Sequence, residues 1–286
     1  MAKLIFGCGY LGRRVARLWI AAGEKVFALT RSANRAAELA KAGIEPIVGN
    51  LLEDRQITLP QEAQTVLFSV GMDRTSPQRV HDVYVGGLRN ALAWTPAGVD
   101  RFLYISSTGV YGQVTGADVD ELSPCRPARE GGQACLAAEQ LLEASPFAPR
   151  AIVLRLAGIY GPARIPRSAN LLAGHPIDAP AQGWLNLIHA DDAARIVLLA
   201  EERAITPRTY VVSDGAPVLR ADYYTELARL LNAPPPRFID PPPDSPAAQR
   251  AASDKRINPR RMFNELNPKL EYPSYIAGLA AIVATP

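Results

Sequence analysis

The chain has 286 residues, of which 48% are apolar and 21% charged, with a formal net charge of +3. This length supports one large domain or two modest ones around a sizeable core, and so small a charge argues against nucleic acid or a membrane surface as the main partner and for a small molecule. Three scattered cysteines, Cys8, Cys125 and Cys135, with no Cys-x-x-Cys pair and no His-rich companion, speak against a metal site or disulfide framework and for a reducing, cytoplasmic setting.

No stretch reaches the roughly 18 consecutive apolar residues of a membrane span, and the opening residues run straight into structure without a signal-peptide layout. Residues 3–6 form a short apolar run, followed at once by Gly7-Cys8-Gly9-Tyr10-Leu11-Gly12 and by Leu11, Val15, Leu18 and Ala22 at helical spacing up to Gly23. This reads as strand, tight turn, helix. A second strand at 25–29 leads to Ser32, a side chain suited to N-cap a helix that Gly43 ends. Apolar runs at 44–48, 65–70, 101–106 and 151–156 predict further strands, with helical patterns at 79–94, 136–144 and 192–202 and an extra strand at 209–212. Strands that alternate with helices and are themselves almost wholly apolar predict a doubly wound α/β fold, a parallel Rossmann sheet covered on both faces. Beyond Gly161 the pattern changes, with Pro162, Pro166, Pro176 and Pro180 followed by proline runs at 234–236 and 241–243. We expect a dinucleotide-binding domain at 1–160 and a smaller C-terminal substrate lobe at 161–286, interleaved with the last sheet strands.

A lone Gly-x-Gly-x-x-Gly says little, but this one follows a strand and opens a helix. Gly7 suits the tight turn, Gly9 lets the backbone approach a pyrophosphate, and Gly12 lets helix and strand pack closely. With Tyr10 and Leu11 they present a helix N-terminus to phosphates. Where an NAD site places Asp or Glu at the end of the second strand, this chain has Leu29-Thr30-Arg31-Ser32. Arg31 beside the Ser32 hydroxyl suits a 2′-phosphate, so NADP is the expected cofactor and NAD the second choice. The other reading of Arg31 is a solvated loop charge.

Several motifs together resemble the extended short-chain dehydrogenase/reductase superfamily, in its NAD-dependent epimerase/dehydratase group. They are the glycine fingerprint, Val48-Gly49-Asn50-Leu51, Ile105-Ser106-Ser107-Thr108-Gly109-Val110-Tyr111-Gly112, Leu154-Arg155-Leu156-Ala157-Gly158-Ile159-Tyr160-Gly161-Pro162, residues 186–192 and residues 210–215. The opening Gly-x-Gly-Tyr-Leu-Gly and the Tyr-Pro-Ser-Tyr of Tyr272 to Tyr275 resemble an atypical, YeeZ-like subgroup. The resemblance implies that Asn50 and the Leu51 N–H border the adenine, that Ser69 and Val70 line the cofactor, and that Gly158 and its neighbours face the nicotinamide carboxamide. Asn50 reads equally as a turn residue, and the other segments as plain strand ends. Ser107 matches the position whose hydroxyl polarises the substrate oxygen; its structural alternative is a turn-capping hydroxyl.

That family's enzymes carry Tyr-x-x-x-Lys on the following helix, the tyrosine to move the proton and the lysine to lower its pKa and hold the nicotinamide ribose. Alignment on Ala137-Ala138-Glu139 puts Gly131 at the tyrosine position and Cys135 at the lysine position. Every basic residue between Ala42 and Asp254 is arginine or histidine, so no shift of register restores the pair. Losing a positioned acid–base group commonly lowers rates by about 10²–10⁴. Tyr111 is the first replacement donor, against a packed aromatic that shapes its loop. His189 and the Asp191-Asp192 pair fit a helix start better than catalysis, while Arg155, Arg164 and Arg167 fit either an anionic substrate or surface pairing.

The expected function is an NADP-preferring oxidoreductase or epimerase-like enzyme with an atypical site: Ser107 orients an oxygen, Tyr111 or a substrate group handles the proton, and the C-terminal lobe selects a small substrate, for which the family resemblance, and no residue, implies a sugar or nucleotide-sugar derivative. The rival is a catalytically silent cofactor-binding sensor or regulator. Small residues at Gly86-Gly87 and Ala137-Ala138 suit close helix packing, either in a homodimer or within one subunit.

Overall fold

In the computed structural model, which describes residues 1–53, 57–73, 77–243 and 245–284, the short apolar runs form strands and the helical patterns form helices. β1 (Ala2–Phe6), α1 (Gly12–Ala21), β2 (Lys25–Thr30), α2 (Ala33–Lys41), β3 (Glu45–Val48), β4 (Ala63–Phe68), α3 (Gly87–Trp94), β5 (Arg101–Ser107) and α4 (Glu130–Glu143) follow in chain order. With Ala151–Leu156 and Arg208–Val212 the strands make a seven-stranded sheet, in the order Arg208–Val212, Ala151–Leu156, β5, β4, β1, β2, β3. The β1–β2, β1–β4, β2–β3 and β4–β5 pairs are all parallel. This is the doubly wound Rossmann arrangement that the sequence predicts. Strand order reverses between β1 and β4, and such a reversal opens a crevice at the carboxyl ends of the strands, where these sheets take ligands.

The chain divides into two compact units, the first made of Met1–Ser107, Glu130–Arg155 and Ala194–Tyr210 and the second of Thr108–Arg129, Leu156–Ala193 and Val211–Pro286. In the first, Leu4 and Phe6 join Phe27, Leu29, Val66 and Phe68 in a core on one sheet face. Ile5 between them is fully buried on the other face, because side chains alternate along a strand. Both faces are therefore dry, which is why β1 reads as an unbroken apolar run. The exception is Lys3, buried but neutralised: its ammonium lies 2.5 Å from the Glu201 carboxylate, which also accepts from Thr65 Oγ1 at 2.5 Å and Trp19 Nε1 at 2.7 Å. Gly87 packs inward, where a Cβ would lie 3.2 Å from Leu51 Cδ2.

The second unit has a core of its own around Tyr160, Ile177, Leu187, Tyr223, Leu227 and Leu279. Its small parallel pairs include Gly158–Tyr160 with Leu187–His189 and Val114–Val119 with Asp254–Ile257. These strands are short or rich in charge and carry no apolar alternation, so the sequence does not announce them. The helix expected from residue 192 begins at Ala190. Asp192, in the first turn of this helix, also holds a distant segment: its carboxylate accepts the Glu271 and Tyr272 N–H groups, each at 2.9 Å. His189 stacks on Tyr272 with ring centroids 3.8 Å apart, and the Tyr160 hydroxyl donates to the Ser274 carbonyl at 3.3 Å. Together they dock the Tyr272–Tyr275 motif. No helix among the described residues is long and apolar enough to cross a membrane.

Candidate functional site

The glycine turn lies in the first unit, where β1 and β4 end side by side. Gly7 has a φ of +88°, and a Cβ there would lie 2.5 Å from the Val70 nitrogen, so the position accepts only glycine. A Cβ on Gly12 would lie 2.7 Å from the Gly7 carbonyl oxygen and 3.1 Å from Ser69 Oγ. Ser69 locks this packing, its N–H donating to the Phe6 carbonyl at 2.8 Å and its hydroxyl to the Gly7 carbonyl at 2.9 Å. Gly9 is different, because a Cβ there meets nothing within 4 Å. That open space lies at the start of α1, where Leu11 supplies no side-chain cap and the first turn carries no acidic residue. An uncapped helix start beside an open glycine fits a pyrophosphate. Tyr10 flanks it, held by Arg14, whose guanidinium lies 4.0 Å from the ring centroid and donates to the Tyr10 carbonyl at 2.9 Å.

At the end of β2, Arg31 is exposed and 3.6 Å from the Asp73 carboxylate, a pairing that contributes little at a surface. Ser32 Oγ accepts the Arg35 N–H at 3.2 Å and so caps α2. Arg13 and Arg35 converge on Glu38 at 2.6 and 3.6 Å, and hydrogen bonding to Arg13 above all holds that carboxyl below its usual range. Both cations also act on the buried Cys8, whose thiol burial pushes up to about 11. Asn50 makes a local turn, its Oδ1 accepting the Leu52 N–H at 3.1 Å and its Nδ2 donating to Glu53 at 3.0 Å. Leu51 is buried, its carbonyl accepting Asn90 Nδ2 at 2.9 Å.

β5 ends on two serines that alternate across the sheet. Ser106 is buried and donates to Glu139 Oε1 at 2.5 Å, whereas half-buried Ser107 belongs to the opposite face. Glu139 also takes the Arg155 guanidinium, with Nε at 3.0 Å from Oε1 and Nη2 at 2.7 Å from Oε2. Arg155, an anion-binding candidate on sequence grounds, is thus committed inside the first unit. Arg167 bonds to the Tyr224 side chain in the second.

α4 begins at Glu130, well before the apolar pattern that starts at Leu136, so Gly131 and Cys135 lie one turn apart on the same helix. Gly131 faces open space, with nothing within 4 Å of a Cβ. Cys135 is buried, and its thiol is pushed up to about 11, first by burial and then by the Glu139 charge, although the Tyr104 hydroxyl donates to its sulfur. At neutral pH it is a packed thiol with no nucleophilic character.

In the second unit, Thr108–Val110 make one 3-10 turn, and Tyr111, 2% exposed, forms an antiparallel bridge with Cys125. A Cβ on Gly112 would lie 1.9 Å from the Arg126 carbonyl oxygen, so the Tyr111-Gly112 main chain is clamped against residues 125 and 126. The Tyr111 carbonyl accepts Lys255 Nζ at 3.1 Å. Gly158 is exposed, and its N–H donates to the Asn186 carbonyl at 2.9 Å.

Asp214 of the 210–215 motif is also buried, with Oδ1 accepting the Ala216 N–H at 2.9 Å and no partner for Oδ2 among the described residues. Burial, with a smaller push from Asp192, raises its carboxyl from 3.8 to about 7. The folded chain therefore holds this proton where an unfolded one releases it, and stability from this group falls as pH rises from about 4 to 7. Asp214→Asn keeps the turn acceptor and removes the charge. Its unfolding free energy should exceed the wild type's at pH 8, by up to about 4 kcal/mol, and match it at pH 4; an equal gain at both pH values would exclude titration as the cause.

Sequence reasoning missed Glu139, Asn90, Arg13, Arg35 and Lys255. Glu139 alone carried a signal, as an acid among the apolar positions of a core helix. Asn90, Arg13 and Lys255 act through partners distant in the chain, whereas Arg35 meets Glu38 three residues on.

Comparison with known proteins agrees with this picture. The sequence profile of the NAD dependent epimerase/dehydratase family matches residues 4–213. Protein YeeZ of Escherichia coli K12 is 30% identical over 175 residues, a match that spans 61% of this chain and 60% of YeeZ. A functionally unknown conserved protein from Silicibacter pomeroyi superposes with a TM-score of 0.85 at 29% identity, covering 99% of this chain and 98% of that one. The UDP-glucose 4-epimerase of Thermotoga maritima shares the fold, with a TM-score of 0.79 at 17% identity over 99% of this chain and 98% of its own. With the fingerprint glycines packed at the β1–β4 crevice and the profile covering most of the chain, this protein belongs to the NAD dependent epimerase/dehydratase family.

Proposed function

We propose that the protein is an NADP-preferring oxidoreductase or epimerase-like enzyme that acts on a small, sugar-like substrate without the usual tyrosine–lysine pair. The observation that carries the reading is the open space at Gly9 beside the uncapped start of α1. Preference for NADP is supported by Arg31 at the end of β2, with Arg13 and Arg35 close by and no acid at the position that would bond a ribose 2′-hydroxyl. Bound nicotinamide supplies or accepts a hydride. The chain's residues do the rest: the glycine turn and Asn50-Leu51 hold the nucleotide, Ser107 orients a substrate oxygen and Tyr111 handles the proton.

The test begins with binding. NADPH should bind about tenfold to a hundredfold more tightly than NADH, and Arg31→Ala should remove most of that difference, as read by cofactor fluorescence. Equal affinities in the wild type would remove Arg31 from this role. Oxidation of NADPH by a panel of aldehydes, ketosugars and nucleotide sugars then tests turnover. A second reading, a cofactor-binding regulator, is supported by the inert environment of Cys135 and the bare Gly131; tight NADPH binding with no turnover across the panel would favour it.

A further inference from the structure

Lysine is scarce in this chain, and four of its five lysines have ordinary surroundings. Lys3 is paired with Glu201, Lys25 with Glu45 and Glu62, and Lys41 and Lys269 are exposed. Lys255 is 5% exposed, and among the described residues its ammonium bonds only neutral oxygens, the Tyr111 carbonyl at 3.1 Å and Ser253 Oγ at 2.6 Å. Neighbouring Asp254 attracts it from a distance, with one carboxylate oxygen committed to the Trp184 N–H at 2.9 Å, while Arg129 repels it. Across the strand pair, Asp118 is held by Arg256 at 2.8 Å.

The main chain around Lys255 is held with unusual care. Asn186 Nδ2 donates to the Lys255 carbonyl at 2.9 Å, and Asn186 Oδ1 accepts the Ile257 N–H at 2.7 Å. The Asn186 carbonyl in turn accepts the Gly158 N–H at 2.9 Å. One continuous chain of bonds within the second unit therefore runs from Gly158 through Asn186 and Lys255 to Tyr111.

We propose that Lys255 is the positioning lysine of this site, delivered by the C-terminal strand Asp254–Ile257 in place of the one α4 lacks, and that its ammonium sets the Tyr111 main chain for the reaction. A neutral amide or hydroxyl could serve a carbonyl at far lower desolvation cost, and a buried ammonium without a bonded carboxylate is expensive. Burial, aided by Arg129, accordingly pushes its amine down from 10.5 to about 8. Its titration has opposite consequences for stability and for rate. The folded state gives up the proton first, so stability from this group rises with pH between about 8 and 10.5. A reaction that needs the ammonium loses rate over the same rise through about pH 8.

The proposal builds on the oxidoreductase reading, and the test separates the two. In [ζ-15N]lysine-labelled full-length protein, one amine should titrate near pH 8 and vanish in Lys255→Met. At pH 7, Lys255→Met should unfold at the wild-type temperature or above, while its NADPH-dependent kcat with the best panel carbonyl falls by about 10²-fold and KM stays within twofold. Lys255→Arg, charged at every accessible pH, should recover part of kcat and lose the alkaline limb. A resonance that titrates above pH 9.5, a Lys255→Met chain that melts well below the wild type, or wild-type kcat and pH profile in Lys255→Met would each overturn the lysine's role and leave the oxidoreductase reading standing. A wild type inactive with every carbonyl would overturn both.

Discussion

Glu139→Ala should lower the unfolding free energy by about 3–5 kcal/mol, the size seen when one partner of a buried ion pair is removed. Glu139 accepts from Ser106 and takes both faces of the Arg155 fork, tying α4 to β5 and to Ala151–Leu156. The loss leaves a buried guanidinium without its carboxylate and a buried hydroxyl without its acceptor. Denaturant titration should show a lower midpoint with an unchanged slope. Glu139→Leu combined with Arg155→Met removes both charges together and should recover most of the stability, because it leaves no buried charge unpaired and costs only the Ser106 hydroxyl its acceptor. If the double replacement is as unstable as Glu139→Ala, the deficit comes from packing and the ion pair is not its source.

Ser107→Ala should reduce kcat by about 10²–10³-fold, the usual consequence of removing one donor aimed at a reacting oxygen, with the dissociation constant for NADPH unchanged within twofold. The neighbouring serine is the internal control. Ser106 donates to Glu139, so Ser106→Ala removes a bond from a charged acceptor and should cost about 1.5–3 kcal/mol of stability, with kcat scaled only by the folded fraction. The two substitutions delete the same atom one residue apart and should produce opposite phenotypes. Should Ser107→Ala instead lose stability and keep its rate, its hydroxyl is a turn cap and the catalytic assignment fails.

Much of the fold was legible because it is local. Strands that are apolar throughout, separated by helical patterns with glycine stops, lead directly to the parallel sheet, and the glycine fingerprint marked the β1–α1 turn because Gly7 and Gly12 answer to backbone and side-chain atoms within a few ångströms. The start of α4 was misplaced because Glu130-Gly131-Gly132-Gln133 has poor intrinsic helix propensity and no apolar stripe. The strands Val114–Val119 and Asp254–Ile257 were missed because each is polar and exists by pairing with the other, 135 positions or more along the chain.

The sequence by itself determined that the chain would form a Rossmann sheet, that a glycine turn would join β1 to α1, and that the helix after β5 carries neither the tyrosine nor the lysine of the family's pair. Those are properties of residue identity at fixed short spacing, and no folding can add a side chain to Gly131. Only the tertiary structure decided what the remaining side chains do. It turned Arg155 from an anion-binding candidate into the partner of Glu139, gave Asp192 the 271–272 main chain to cap, and brought Lys255 from far along the chain onto the Tyr111 carbonyl. Partners are chosen by proximity in space, and burial then fixes their charge state, so neither can be read from spacing along the chain.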